Sequence, residues 1–115
     1  MLEKGAYPNA TDEYGLTPLS RAAANGHGLT VGLLLERGAN PNHGDISNNT
    51  PLFYAAENGH EVAVRLLLER MDDKNSKDAS RGRTPLFQAI IRGHEAVATA
   101  LLEMGSDPNT EDNER

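Results

Sequence analysis

The clearest pattern of apolar and polar positions runs from Thr50 to Arg70. Leu52, Ala55 and Ala56 stand at i, i+3 and i+4 and predict one face of a short helix, while Ala63, Val64, Leu67 and Leu68 predict the apolar stripe of a second. The ends of the first helix are written locally. Thr50 can cap an N-terminus, Pro51 suits the first helical position because it has no N–H to leave unpaired, and Gly59 can take the left-handed conformation at which helices end. Two such helices bury only half of each other, so the pair requires neighbours of the same kind.

Repetition supplies them. Thr-Pro-Leu opens at Thr17, Thr50 and Thr84, Gly-His follows at His27, His60 and His94, and the second helix closes each time eleven residues later, at Gly38, Met71 and Gly105. An asparagine follows at Asn42, Asn75 and Asn109, and an aspartate three residues beyond it at Asp45, Asp78 and Asp112, with Asn9 and Asp12 in the same relation ahead of them. Gly15 and Gly82 stand before Thr-Pro by one residue, and Asn48 fills the equivalent slot of the middle unit; asparagine tolerates positive φ better than most side chains, so a tight turn is expected there too. Residues 2–9 match 35–42 position by position, so the chain opens inside the tail of a unit.

A period in the low thirties with these landmarks resembles the ankyrin repeat. The resemblance implies an all-α solenoid of stacked antiparallel helix pairs joined by β-hairpin-like turns around Asp12, Asp45 and Asp78, in one domain: the tail of a partial repeat in 1–10, repeats in 11–43, 44–76 and 77–110, and the start of another in 111–115. The last helix, Glu95 to Met104, keeps the Leu101-Leu102 pair of an internal unit rather than a polar outer face. A piece of a longer array is therefore expected, or ends that meet a partner or a second copy by end-to-end self-association; the alternative is that Ala98 and Ala100 let this helix end the stack alone.

Departures from the family pattern carry their own expectations. The histidine that usually follows Thr-Pro-Leu and ties neighbouring repeats is replaced by Ser20, Phe53 and Phe87, so that tie is expected to be missing. Met71-Asp72 replaces Gly-Ala, and a side chain forced into a left-handed helix end costs on the order of 1 kcal/mol, so this junction is expected to be strained. Gly28 and Gly32 fall in the second helix of the first repeat, each at roughly 1 kcal/mol relative to alanine in a helix interior.

Charge and chemistry narrow the function. At 115 residues with a net charge of −6, the chain as a whole has no attraction for nucleic acid or an anionic membrane; the longest apolar run is only a few residues, and with no cysteine there is no disulfide framework or thiolate site. An intracellular setting, cytoplasmic or nuclear, is expected. His27, His60 and His94 recur one repeat apart, farther than a zinc ion tolerates between ligands, so bonds to neighbouring loop backbone are the expected role; His43 has no partner at ligand spacing. Glu36, Glu69 and Glu103 recur near helix ends as solvated faces, and no phosphate-binding glycine loop, Gly-x-Ser-x-Gly or cysteine nucleophile is present, so no enzyme and no cofactor are expected. Asn9-Ala10-Thr11 and Asn48-Asn49-Thr50 match the glycosylation pattern by chance, since Thr50 is required as a cap. Asn75 with Asp73 and Leu67, and Asn109 with Asp107 and Leu101, resemble asparagines that the family presents to an asparaginyl hydroxylase, although bonding across the loop is the simpler role.

The resemblance implies a protein-binding module whose hairpin tips and first helices form a concave groove. Carried over by position, the groove comprises Glu13, Tyr14, Leu16, Ala24 and Asn25 of the first repeat, Ile46, Ser47, Asn49, Glu57 and Asn58 of the second, and Ser80, Arg81, Arg83, Ile91 and Arg92 of the third. Tyr14, Leu16, Ile46 and Ile91 are the apolar members, which favour a binder over the alternative of a structural or regulatory spacer in a larger protein. Lys74, Lys77, Arg81, Arg83 and Arg92 outnumber Asp72, Asp73 and Asp78, making the third repeat a basic island suited to a partner protein or peptide with an acidic segment.

Overall fold

The structure, a computed structural model, describes residues 8–71 and 84–104. Six helices occupy them: α1 (Pro18–Ala24), α2 (Gly28–Glu36), α3 (Pro51–Glu57), α4 (Glu61–Leu68), α5 (Pro85–Ile91) and α6 (Glu95–Glu103). There is no strand among the described residues, and no helix there is long and apolar enough to cross a membrane.

Each first helix starts and stops as its residues dictate. Thr17, Thr50 and Thr84 are extended and accept from the backbone N–H three residues on, at 3.1, 3.3 and 3.1 Å, with proline next in each helix. Each ends in a Schellman closure: the Gly26 N–H donates to the Ala23 carbonyl and the His27 N–H to that of Ala22, and Gly59-His60 and Gly93-His94 repeat the arrangement.

The pairs α1/α2, α3/α4 and α5/α6 stack so that α1, α3 and α5 form one layer and α2, α4 and α6 another. Leu19, Leu52 and Leu86 with Ala22, Ala55 and Ala89 fill the first layer, and Leu34, Leu67 and Leu101 the second. Alanine permits close approach of the helices. Gly28 serves the same end: a Cβ there would stand 2.8 Å from Cγ1 of Val62 in the following repeat.

The expectation of strain at Met71 is corrected. Asn48 is the one non-glycine residue of positive φ among the described residues, at +65°, so Met71 has a negative φ and no left-handed strain. In the first repeat Gly38 turns at φ +94° and lets Ala39 bury its methyl; in the second, α4 stops one residue earlier relative to the repeat, and Met71 itself enters the core at 5 % exposure. The methionine replaces the glycine-alanine pair by filling the space with its own side chain. Asp72, and with it the remainder of this junction including Asn75, lies outside the described residues, as do Asn109, residues 1–7 of the leading partial repeat, and residues 105–115, which include the start of the trailing one at 111–115.

Candidate functional site

Two hairpin tips are built on aspartate. Asp12 accepts from the N–H groups of Tyr14 and Leu16 at 2.9 and 3.0 Å, and Asp45 from those of Ser47 and Asn49 at the same distances. Each tip closes with a residue of positive φ, Gly15 at +81° and Asn48 at +65°, which is the role the sequence assigned to Asn48. The Ile46 N–H donates to the Tyr14 carbonyl at 3.1 Å and joins one tip to the next. Asp78 and Gly82, the corresponding residues of the third tip, lie outside the described residues, together with Ser80, Arg81, Arg83, Lys74 and Lys77.

The other carboxylate oxygen of each aspartate reaches the first helix of its own repeat. Arg21 donates to Asp12, and the Tyr54 hydroxyl donates to Asp45. The Arg21 hydrogen bond holds the Asp12 carboxyl below the usual carboxylate range. Burial, followed by the bond to Asp45, pushes the Tyr54 phenol up to about 12. These ties were missed in the sequence, yet a signal was present: Arg21 and Tyr54 both lie nine residues beyond the tip aspartate and four beyond the capping threonine.

The repeats are joined where the histidines were expected to act. His60 Nε2 donates to the Ala24 carbonyl at 3.0 Å and His94 Nε2 to that of Glu57 at 2.9 Å; a carbonyl only accepts, so Nε2 carries the proton in both. The rings lie over Gly26 and Gly59, where an added Cβ would come within 2.5 and 2.7 Å of Nδ1. The Asn58 side chain also donates to the Ala24 carbonyl, Arg70 reaches the Leu35 carbonyl, Arg92 pairs with Glu57 at 2.9 Å and Arg65 with Glu103 at 3.1 Å. Where the Thr-Pro-Leu-His tie of the family is absent, Ser20 instead bonds Thr17 within its own repeat, and Phe53 packs edge-on to Tyr54.

The predicted groove residues divide accordingly. Tyr14 and Ile46 stand on adjacent tips, 54 % and 75 % exposed, and Glu13 beside them is exposed. Leu16 is half-buried and bonded into its tip, and Asn49 likewise; the Asn49 side-chain oxygen is buried and meets no donor among the described residues. Asn25 closes α1 by donating to the Arg21 carbonyl. Asn58 and Glu57 act in the stack, and Arg92, one of the basic-island residues, is already engaged by Glu57. Ile91 is half-exposed at the end of α5. Among the described residues no three His, Cys, Asp or Glu side chains are grouped to hold a metal ion.

Comparison with protein families gives two matches, the family described as ankyrin repeats (3 copies) over residues 41–112 and the single ankyrin repeat over residues 14–46. Comparison with curated proteins gives no match. Ankyrin repeats are in general protein–protein interaction modules and in general not enzymes. With threonine-capped helix pairs stacked through Gly-His turns, and with family matches that together run from residue 14 to residue 112, the chain belongs to the ankyrin repeat family.

Proposed function

We propose that this chain acts by binding a partner protein rather than by catalysis, through the face formed by its hairpin tips and first helices. The carrying observation is that Tyr14 and Ile46, large apolar side chains more than half exposed, sit on two tips joined by a backbone hydrogen bond and each closed by a bonded aspartate. Rigid loops bearing exposed apolar anchors lose little entropy on binding, so the contacts they make are retained as affinity. Glu13 and Ser47 flank the pair, and Asn25 and Ile91 lie at the far ends of the first helices. Arg81 and Arg83, outside the described residues, extend this reading to a partner with an acidic segment; since Glu57 holds Arg92, that part of the proposal falls chiefly on the other two. An intracellular setting accords with a chain that has no cysteine.

The test begins with affinity capture from the source organism and isothermal titration of the partner obtained. Tyr14→Ala or Ile46→Asp is expected to cost about 2 kcal/mol of binding, as for an interface anchor, while Val62→Asp on the second-helix layer leaves affinity unchanged. Arg81→Glu with Arg83→Glu is expected to weaken binding by a factor that shrinks in high salt. A partner insensitive to both tip substitutions overturns the proposal.

A further inference from the structure

The two ends of the described stack are the unmated halves of one junction. Inside the chain that junction is made twice, by His60 over Gly26 and by His94 over Gly59. In the first of these Val62 packs on Gly28 and Leu66 reaches towards Gly32, so side chains at the Val62 and Leu66 positions point at the preceding repeat. By the same register His27, Leu29 and Leu33 form the leading face of the first repeat. His27 is exposed and its ring has no hydrogen-bond partner among the described residues, Leu29 is 94 % exposed, and Pro18 is exposed where Pro51 and Pro85 are buried.

The trailing face shows the complement. Gly93 has the left-handed φ of Gly26 and Gly59 but nothing within 4 Å of where a Cβ would be. Beside it lies a groove of about 250 Å³ lined by Ala89, Ile90, Gly93, His94, Glu95 and Ala98. Ile90 is 59 % exposed and Leu102 45 %, whereas the residues in their places in the earlier repeats, Ala23, Ala56, Leu35 and Leu68, are all buried.

We propose that a second copy of this chain docks head to tail on the trailing face. Its His27 imidazole lies over Gly93 and donates from Nε2 to the Ile91 carbonyl, the acceptor two residues before the glycine, as Ala24 and Glu57 are in the two internal junctions. Its leading face closes over Ile90 and Leu102. A second copy is the occupant because the contact continues an interface this chain already makes twice, and because each molecule carries both halves. Each chain carries −6, so repulsion opposes the association and added salt tightens it. A head-to-tail contact is heterologous and does not stop at two copies unless the rotation closes a ring.

Sedimentation of the full chain over a wide concentration range, up to near-millimolar, tests this, with Leu29→Asp spoiling the leading face and Ile90→Asp the trailing face. Both sites are exposed, and circular dichroism checks the fold; Ile90→Ser replaces any Ile90→Asp that fails it. The wild-type mass is expected to climb with concentration, and each variant alone to associate at least tenfold more weakly. Their equimolar mixture is expected to form pairs and nothing larger, because each variant retains the face the other lacks. A wild-type chain that keeps a single mass throughout overturns the proposal, as does self-association blocked by only one of the two variants or a mixture that fails to pair. Neither site belongs to the Tyr14–Ile46 surface, so this result is independent of partner binding.

Discussion

Gly59 and Gly93 occupy the same place in consecutive repeats with nearly the same φ, +78° and +76°, yet only the first is covered by the next repeat's imidazole. Leu68 and Leu102 form a second matched pair, 1 % and 45 % exposed. Local sequence is similar in each pair, so the differences isolate what a following repeat adds to a residue. A glycine chosen for its helix end becomes a site where two repeats touch, and a leucine on a helix face becomes core. In a solenoid each unit contacts only its neighbours, and the value of a side chain depends on whether that neighbour is present.

The largest expected effect comes from the leucines. Leu68→Ala is expected to destabilise by about 3 kcal/mol, in the range for a fully buried leucine, and Leu102→Ala by about 1 kcal/mol because nearly half of it is already in water. Urea denaturation followed by circular dichroism measures both, and equal costs would dissolve the contrast between interior and end. Next are the glycines. Gly93→Ala is expected to cost about 1 kcal/mol from the left-handed backbone alone, whereas Gly59→Ala adds displacement of the His94 ring and loss of its bond, bringing the total to about 3 kcal/mol. If His94→Ala rescued none of that excess, the ring would not be its cause.

Met71→Ala is expected to cost about 2 kcal/mol, the lower end for a core methionine. Met71→Gly with Asp72→Ala, which would restore the family's helix end, is now expected to lower the denaturation midpoint, since it relieves no strain and empties core volume; a higher midpoint would reinstate the strain. The smallest effect distinguishes the two internal junctions. The second is bridged by Arg92–Glu57 and Arg65–Glu103, where the first has Asn58 and Arg70 donating to carbonyls. Glu57→Gln is expected to cost a few tenths of a kcal/mol at low salt and nothing at high salt, while Asn58→Ala costs a similar amount at any salt. Thermal melts at two ionic strengths read the difference.

Much of the architecture was legible because its causes are local. Thr-Pro, Gly-His and the tip aspartates act on backbone within a few residues, so their spacing predicted caps, helix ends and turns, including positive φ at Asn48. The binding face was legible only in part. Tyr14 and Ile46 emerged exposed, but Leu16 and Asn49 belong to their turns and Asn58 to the stack, since a hairpin residue and a groove residue share the same polar composition until their partners are known.

The sequence alone determined the helix pairs, their repeat and the glycines that end the first helices, because capping, proline geometry and left-handed backbone are properties of short segments. The tertiary structure decided which residues meet across repeats: the imidazoles of His60 and His94 over glycine, Arg92 on Glu57, and Met71 turned inward rather than strained. Those outcomes depend on the distance and angle between stacked units, which close packing of helices sets and no local pattern of residues records.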